Sequence, residues 1–178
     1  MLGCDPSGRV NRGRMGTLVM MSPASLTAAP PSSTDVQPPC EVLPRLWQSG
    51  LPEDWSDLRR RYDVVVDLAD PGPGPSADDL GAVTWLKVPL EDGDQLPDAL
   101  LLDQLTGLVA AMVRDGRRVL VHCTFGKNRS GLLMALLVRE LLGCDGPTAL
   151  ERVRAVRHRA VNNEVFSDWV SGLPAPAR

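Results

Sequence analysis

Patterns that would place this 178-residue chain in several other protein classes are missing from it. No internal repeat and no heptad pattern is present, which excludes a solenoid and a coiled coil. No apolar run reaches the roughly 18 residues that a membrane-spanning helix needs. The formal net charge is −3 and the pI is about 5.4, whereas a nucleic-acid-binding domain is normally basic. We therefore expect no membrane span and no nucleic-acid partner.

Metal-binding patterns are missing too. The four cysteines are Cys4, Cys40, Cys123 and Cys144, and they include no CxxC pair and no cysteine–histidine spacing of a zinc site. Their even number would allow two disulfides, but a cysteine that takes part in chemistry has to stay reduced. The sequence thus predicts no metal site.

Composition divides the chain into a tail and one domain. Hydrophobic residues make up 43% of the sequence, which is ordinary for a globular protein with a core. Residues 1–39 are rich in Pro, Ser, Thr, Ala and Gly and keep no apolar period, so we predict a disordered tail there. The apolar stretch after Arg12 and Arg14 is too short for a signal peptide. We expect the domain to span residues 40–173 and residues 174–178 to be frayed.

Within the domain, strand-like and helix-like segments alternate. The predicted strands lie within residues 41–50, 63–68, 82–90 and 119–121, and the predicted helices within residues 55–61, 100–113 and 132–138, from Pro147 onward and within residues 161–170. Residues 70–75 form a turn-rich break. This alternation predicts an α/β fold whose central, mostly parallel sheet is flanked by helices and binds its ligand at the carboxyl ends of the strands.

Residues 119–131 carry the prediction of function. Three apolar residues of strand character lead to Cys123, a polar loop follows, and an apolar helical run begins at Leu132. A loop that joins a strand to a helix N-terminus binds anions, because amide N–H groups and the helix dipole converge there. No proline removes an N–H from this loop, and Gly126 permits the positive φ that such a loop usually requires.

Two side chains turn the anion site into a possible reaction centre. Cys123 lies where amide dipoles and a nearby cation favour the thiolate, and Arg129, six positions later, can hold two phosphate oxygens with its planar guanidinium. The rest of this phosphate-binding loop, residues 123–129, consists of Thr124, Phe125, Gly126, Lys127 and Asn128. A Cys-x5-Arg loop in this setting suits in-line attack of sulfur on a phosphoryl group. A buried strand-end cysteine with a solvated arginine is the alternative interpretation.

The pattern HCxxGxxRS at residues 122–130 resembles the signature loop of cysteine-dependent protein tyrosine phosphatases, specifically their dual-specificity-like branch. A weaker resemblance extends from about Glu41 to Trp169. It implies a dual-specificity-phosphatase-like α/β fold with a phosphocysteine intermediate. It also implies an active site with no metal and no other cofactor.

Cleavage of a phosphate ester needs a proton for the leaving oxygen, which a thiolate cannot supply. Enzymes that the chain resembles carry an aspartate at a strand end ahead of the cysteine. Asp92, which follows the strand segment ending at Leu90, matches that position best. Asp94 is the second candidate and Glu91 the third. A solvated acidic turn is the interpretation without catalysis.

Ser130 and His122 are expected to support the nucleophile. Ser130 is predicted to donate a hydrogen bond to the thiolate and so ease its departure from phosphocysteine, although its hydroxyl could also cap the following helix. His122 is expected to order the loop rather than act as a base. Its side chain should face away from Cys123, because neighbours alternate along a strand.

Lys127 bears on the substrate. A Gly-Lys-x-Arg sequence is similar to that of phosphatases acting on highly anionic substrates such as phosphoinositides or inositol phosphates, although it occurs in protein phosphatases too. We expect phosphotyrosine, phosphoserine or phosphothreonine in proteins to be the substrate. Glu164 stands near the position where the family often carries a glutamine, so no catalytic role is assigned to that segment.

Two other classes of protein are alternatives to an enzyme of this kind. A sulfurtransferase also uses a loop cysteine, but its shorter loop does not typically place an arginine six residues later. A phosphate-binding module without turnover usually lacks the nucleophile or the arginine, and both are present here. The remaining expectations are a phosphorylated protein or another phosphomonoester as partner, a monomeric state and the reducing cytoplasm as compartment.

Overall fold

The computed structural model describes residues 35–70, 75, 76, 78, 81 and 83–177, all of which belong to the unit Pro31–Arg178. Residues 1–34 of the predicted tail, residues 71–74 of the predicted turn-rich break and residue 178 lie outside the described residues.

Five strands among the described residues form one sheet in the order β1-β2-β5-β3-β4. They are β1 (Cys40–Leu43), β2 (Leu46–Ser49), β3 (Val64–Asp67), β4 (Thr84–Lys87) and β5 (Val119–His122). β1 and β2 pair antiparallel, and all other neighbouring strands are parallel. The predicted α/β class with a mostly parallel sheet is confirmed.

Five helices pack around this sheet within the described part of the chain. They are α1 (Trp55–Arg61), α2 (Ala99–Arg114), α3 (Arg129–Leu142), α4 (Gly146–Val156) and α5 (Glu164–Ser171). Four of them begin with a side-chain cap, because the carboxylate or amide oxygen of Asp54, Asp98, Asp145 or Asn163 accepts a backbone N–H of the first turn. Helix α3 differs, since the side chain of Asn128 makes no capping bond. The N-terminus of α3 is therefore left without the usual side-chain acceptor.

The core has a larger and a smaller part on the two faces of the sheet. All residues of β3 and β5 are buried, as expected for central parallel strands covered on both faces. Along β5, Val119, Val121 and then Cys123 belong to the larger cluster with the helices α2 to α5. Leu120 belongs to the smaller cluster beside α1, with Leu58 as its partner. The sheet thus delivers Cys123 and His122 to opposite faces.

An ion pair fixes where β3 and β5 begin. Arg118 donates hydrogen bonds from Nε and NH2 to the two carboxylate oxygens of Asp63, at 3.2 and 2.9 Å, and its backbone N–H donates to the same carboxylate. These hydrogen bonds lower the pKa of Asp63 to about 2. The pairing ties the ends of two strands that lie far apart in the sequence, and it sets their common register.

Most predicted elements are present, with shifted ends. The predicted helix 55–61 has these same bounds, whereas the segment 41–50 forms two strands, because the chain turns at Arg45 with φ of 69°. The strand within residues 82–90 is regular only over Thr84–Lys87. The final helix begins at Glu164 rather than at 161, because Asn163 caps it.

The described start of the chain is joined to the domain. Gln37 donates its backbone N–H to the carbonyl of Phe125 at 3.1 Å and accepts one from Gly50 at 2.7 Å. Arg157 donates to the carbonyl of Pro38. Gln37 and Pro38 lie within the segment that composition predicted as tail, and both form hydrogen bonds with residues after position 40.

None of the helices in the described part combines the length and apolar character that crossing a bilayer requires.

Candidate active site

The phosphate-binding loop lies at the carboxyl end of β5, in the middle of the sheet. Cys123 directly follows the strand and is only 2% exposed, while Arg129 opens α3 and is 4% exposed. Ser130 is fully buried one position later. A central parallel strand, a loop and a helix N-terminus therefore meet where ligands of open α/β sheets bind.

The sulfur of Cys123 has two polar neighbours. The Gly126 N–H donates to Sγ at 3.3 Å, and the hydroxyl oxygen of Ser130 lies 3.3 Å from Sγ. Ser130 belongs to the first turn of α3 and does not cap it, so its hydroxyl is available to the sulfur. Four other loop amides have no acceptor among the described residues: those of Thr124, Phe125, Lys127 and Asn128. Unpaired N–H groups beside a helix N-terminus are suited to an anion.

Gly126 is required by the shape of this loop. Its φ is +75°, in the region that favours glycine. A Cβ there would overlap the backbone nitrogen of Gly50 and approach the carbonyl carbon of Ser49 to 2.5 Å. The loop thus packs backbone to backbone against the end of β2.

The guanidinium of Arg129 is held on one side by protein acceptors. NH1 donates to Asp70 Oδ1 at 2.9 Å and to the carbonyl of Leu90 at 3.2 Å, and NH2 donates to Thr124 Oγ1 at 2.8 Å. Nε is buried and has no acceptor among the described residues. Nε and the second hydrogen of NH2 therefore remain for two oxygens of a phosphate.

Lys87 holds the backbone that carries Asp70. Its Nζ forms a salt bridge with the buried Asp67 at 2.9 Å and donates to the carbonyls of Ala69 and Asp70 at 3.1 and 3.2 Å. The turn after β3 is thereby fixed next to Arg129. Asp67 and Lys87 lie on the neighbouring strands β3 and β4, so the sheet sets the position of the Asp70 backbone.

Asp92 lies in a network of amides beside the loop. Its two carboxylate oxygens accept hydrogen bonds from Asn128 Nδ2 at 3.1 Å and from Asn163 Nδ2 at 3.0 Å. The orientation of each amide follows from the backbone, because Asn128 Oδ1 accepts from the Asn163 N–H and Asn163 Oδ1 accepts from the Phe166 N–H. Both amides must then present their NH2 groups to Asp92.

Asp92 shares a pocket with Cys123. A cavity of about 230 Å³ has a lining that includes Asp92, Cys123, Arg129, Lys127 and Phe125. All three acid candidates are exposed, but Asp94 makes no polar contact with the described residues, and neither Asp94 nor Glu91 is part of this lining. The structure thus brings the first of the three acid candidates, Asp92, to the phosphate-binding loop.

The rim of this pocket carries Phe125 and Lys127. Phe125 is exposed, and Lys127 Nζ lies 5.9 Å from the centre of its ring. Asp35 lines the same pocket. The mouth therefore combines an aromatic face with one lysine and two carboxylates, those of Asp35 and Asp92.

His122 lies on the other face of the sheet from Cys123. It is completely buried, its ring meets that of Trp55 edge to face at 5.6 Å, and its Nε2 is 3.6 Å from Asp67 Oδ1. Burial lowers the pKa of His122 to about 4, outweighing the attraction of Asp67. The ring is therefore neutral near pH 7 and supports the strand that carries Cys123.

Four residues of this arrangement were missed by the sequence reasoning: Gln48, Asp70, Lys87 and Asn163. Gln48 is fully buried on β2 and donates to the carbonyl of Gly126 at 3.1 Å and to Ser130 Oγ at 3.2 Å. A polar residue within a strand-like run was the available signal for Gln48. For Asn163 the signal was a helix cap three residues before Phe166.

The part of the chain that the structure describes contains no group of three or more His, Cys, Asp or Glu side chains able to hold a metal ion. Cys40, Cys123 and Cys144 are all free thiols.

A family model described as the dual specificity phosphatase catalytic domain matches residues 61–172. No curated protein sequence matches the chain significantly. The chain is similar to the crystal structure of Tk-PTP in the active form, with a TM-score of 0.65 and 25% identity over 77% of this chain and 94% of that one. It is also similar in fold to human DUSP28, with a TM-score of 0.63 and 23% identity over 75% and 90% of the two chains.

DUSP15 is a further structure with a similar fold, at a TM-score of 0.65 and 23% identity, covering 75% of this chain and 85% of that one. The matched residues 61–172 include the whole phosphate-binding loop and more than half of the chain. This chain therefore belongs to the dual specificity phosphatase family and is an enzyme of the protein tyrosine and dual-specificity phosphatase type.

Proposed function

We propose that the protein hydrolyses phosphomonoesters through a phosphocysteine intermediate on Cys123, with phosphotyrosine, phosphoserine and phosphothreonine in proteins as its substrates. One observation carries the proposal. Cys123 Sγ lies within a loop of unpaired amides, beside the guanidinium of Arg129 and in the same pocket as Asp92.

In the first step the Cys123 thiolate attacks phosphorus, and the bond from phosphorus to the leaving oxygen breaks. The loop amides and the free edge of Arg129 bind the phosphoryl oxygens, where negative charge is concentrated in the transition state. Asp92 gives a proton to the leaving oxygen. The two oxygens of Asp92 accept amide hydrogen bonds from Asn128 and Asn163, and the oxygen that carries the proton is the weaker acceptor, so protonation weakens one of these two bonds.

In the second step water attacks the phosphorus of phosphocysteine, and the bond from sulfur to phosphorus breaks. The Asp92 carboxylate takes the proton of that water, in the reverse of its first role. The Ser130 hydroxyl, 3.3 Å from Sγ, donates a hydrogen bond to the thiolate that leaves. The cycle restores the starting enzyme and needs a reduced sulfur, which the reducing cytoplasm maintains.

Replacing Cys123 by serine tests the nucleophile. Cys123→Ser should abolish turnover of para-nitrophenyl phosphate, because a serine hydroxyl is not ionised near neutral pH. It should still bind tungstate, since the amides and Arg129 remain. Cys144→Ser is the matched control, because Cys144 is a free, half-buried thiol that contacts the end of α3 and does not line the pocket. Cys144→Ser should keep wild-type turnover, and turnover that survives in Cys123→Ser would exclude Cys123 as the nucleophile.

Phosphoinositides or inositol phosphates are the second candidate substrate, because Lys127 lines the pocket. Asp35 lines it too and would repel additional phosphates, which favours a singly phosphorylated side chain. Wild-type protein and Lys127→Met should be compared on phosphopeptides and on phosphoinositide vesicles. Turnover of phosphoinositides that exceeds turnover of phosphopeptides and is lost in Lys127→Met would favour the lipid substrate.

A further inference from the structure

Gln48 is a polar residue at a position where an apolar one is expected. It lies on β2 opposite Val121 of β5 and is completely buried. Its Oε1 has no hydrogen-bond donor among the described residues, and an unpaired buried carbonyl is destabilising. A leucine or methionine would avoid that loss, so the two hydrogen bonds of the amide nitrogen call for an explanation other than stability.

The orientation of the Gln48 amide follows from its neighbours. The carbonyl oxygen of Gly126, 3.1 Å away, can only accept a hydrogen bond, so the group facing it must be the Gln48 NH2. The same nitrogen lies 3.2 Å from Ser130 Oγ. With one hydrogen directed at Gly126, the second hydrogen of the NH2 group is directed at Ser130.

This contact decides what the Ser130 hydroxyl can do. Because Ser130 Oγ accepts from Gln48, its own hydrogen has to point to another acceptor, and Cys123 Sγ lies 3.3 Å away. We infer that Gln48 is a positioning residue that directs the Ser130 hydrogen to the sulfur of Cys123. This role rests on the proposed phosphocysteine reaction, in which the leaving sulfur gains negative charge.

The backbone of Gln48 is held as firmly as its side chain. Arg157 NH2 donates to the Gln48 carbonyl at 2.7 Å, and Arg157 itself is only 5% exposed. The side chain therefore starts from a fixed strand and reaches both the loop, at Gly126, and the first turn of α3, at Ser130. The Gln48 amide, the Ser130 hydroxyl and the sulfur form one hydrogen-bonded chain that ends on the nucleophile.

Loss of the Gln48 amide should slow the second step more than the first. Gln48→Met keeps an unbranched side chain of similar length but has no donor, which leaves the Ser130 hydroxyl free to rotate. We expect kcat to fall about 10- to 100-fold, the range of a hydrogen bond to a charged group. KM should fall by a similar factor, so that kcat/KM changes little. Phosphoenzyme should accumulate, which a burst of para-nitrophenol would show.

A second variant replaces the hydrogen-bond donor of Gln48 with an acceptor. In Gln48→Glu the carboxylate can accept the Ser130 hydrogen and turn it away from sulfur, so the burst should again appear. Alkylation of Cys123 by iodoacetamide gives a readout without turnover, and its pH profile should move to higher pH in both variants. Thermal unfolding of both variants shows whether the fold is kept. If one variant does not fold, the other carries the test.

A double-mutant cycle separates positioning from support of the loop. If Gln48 acts through Ser130, Gln48→Met should have no further effect on kcat in a Ser130→Ala background. An equal loss of kcat with Ser130 and with Ser130→Ala would overturn the inference. So would a Gln48→Met variant whose kcat and whose pH profile of alkylation are both unchanged. The proposed function fails separately, if wild-type turnover does not depend on Cys123.

Discussion

His122 should make the folded domain lose stability as the pH falls from about 6.5 towards 4. Burial lowers its pKa from the ordinary 6.5 to about 4 in the folded state. The unfolded chain therefore binds a proton in this range that the folded chain does not. The contribution of the neutral His122 ring to the free energy of unfolding is fully present above pH 6.5 and is lost progressively down to about pH 4. At about 1.4 kcal/mol per pH unit, the loss approaches about 3 kcal/mol.

Urea unfolding at a series of pH values between 7.5 and 4 measures this loss. Carboxylates also titrate towards the acidic end, so the wild-type protein has to be compared with His122→Gln, in which those groups are unchanged. The difference in unfolding free energy between the two proteins should shrink by about 3 kcal/mol as the pH falls, because the variant has no imidazole to protonate. His158→Gln is the matched control, since His158 is exposed.

Parallel pH profiles for the wild-type protein and His122→Gln would refute this reasoning. They would mean that the buried ring is already charged beside Asp67, 3.6 Å away, or that the strand opens to water before it titrates. A direct reading comes from the imidazole resonances in NMR, where the buried ring should titrate near pH 4 in the folded protein.

Two further predictions concern the phosphate-binding loop and the proposed acid Asp92. Asp92→Asn should lower kcat by roughly 10²–10⁴-fold on a poor leaving group and much less on an activated ester, and it should flatten the basic limb of the pH–rate profile. Asp94 is exposed and has no polar contacts among the described residues, so Asp94→Asn should leave that limb intact. The reverse pattern would exchange the roles of Asp92 and Asp94. Gly126→Ala should prevent the loop from forming, because φ of +75° and the backbone of Gly50 and Ser49 leave no room for a Cβ; a variant with wild-type turnover and melting temperature would contradict this packing.

Local signals predicted the fold well. The helix Trp55–Arg61 is bounded by Asp54, which caps it, and by Tyr62, whose extended backbone ends it. The phosphate-binding loop is one continuous run of sequence, so its order of strand, loop and helix could be predicted without knowing any distant contact. The antiparallel edge formed by β1 and β2 was not predicted, because it depends on a turn at Arg45, a non-glycine residue with positive φ.

The supporting residues of the site could not be predicted in this way. Gln48 reaches Ser130 across 82 positions, Asp70 reaches Arg129 across 59, and Asn163 reaches Asp92 across 71. These contacts follow from the strand order β2-β5-β3-β4, which brings three loops to one edge of the sheet. A single sequence shows the polar residues but not which of them the sheet brings together.

The pairing of Gln37 with the phosphate-binding loop changes how the smallest active fragment of the chain should be defined. A core-based definition would start at β1, yet Gln37 bonds to both Phe125 and Gly50, and Pro38 bonds to Arg157. A fragment starting at Cys40 would keep its core and lose three hydrogen bonds that hold the loop and the end of β2. Each is worth about 0.5–1.5 kcal/mol, so such a fragment would fold with a lower melting temperature and a loosened phosphate-binding loop.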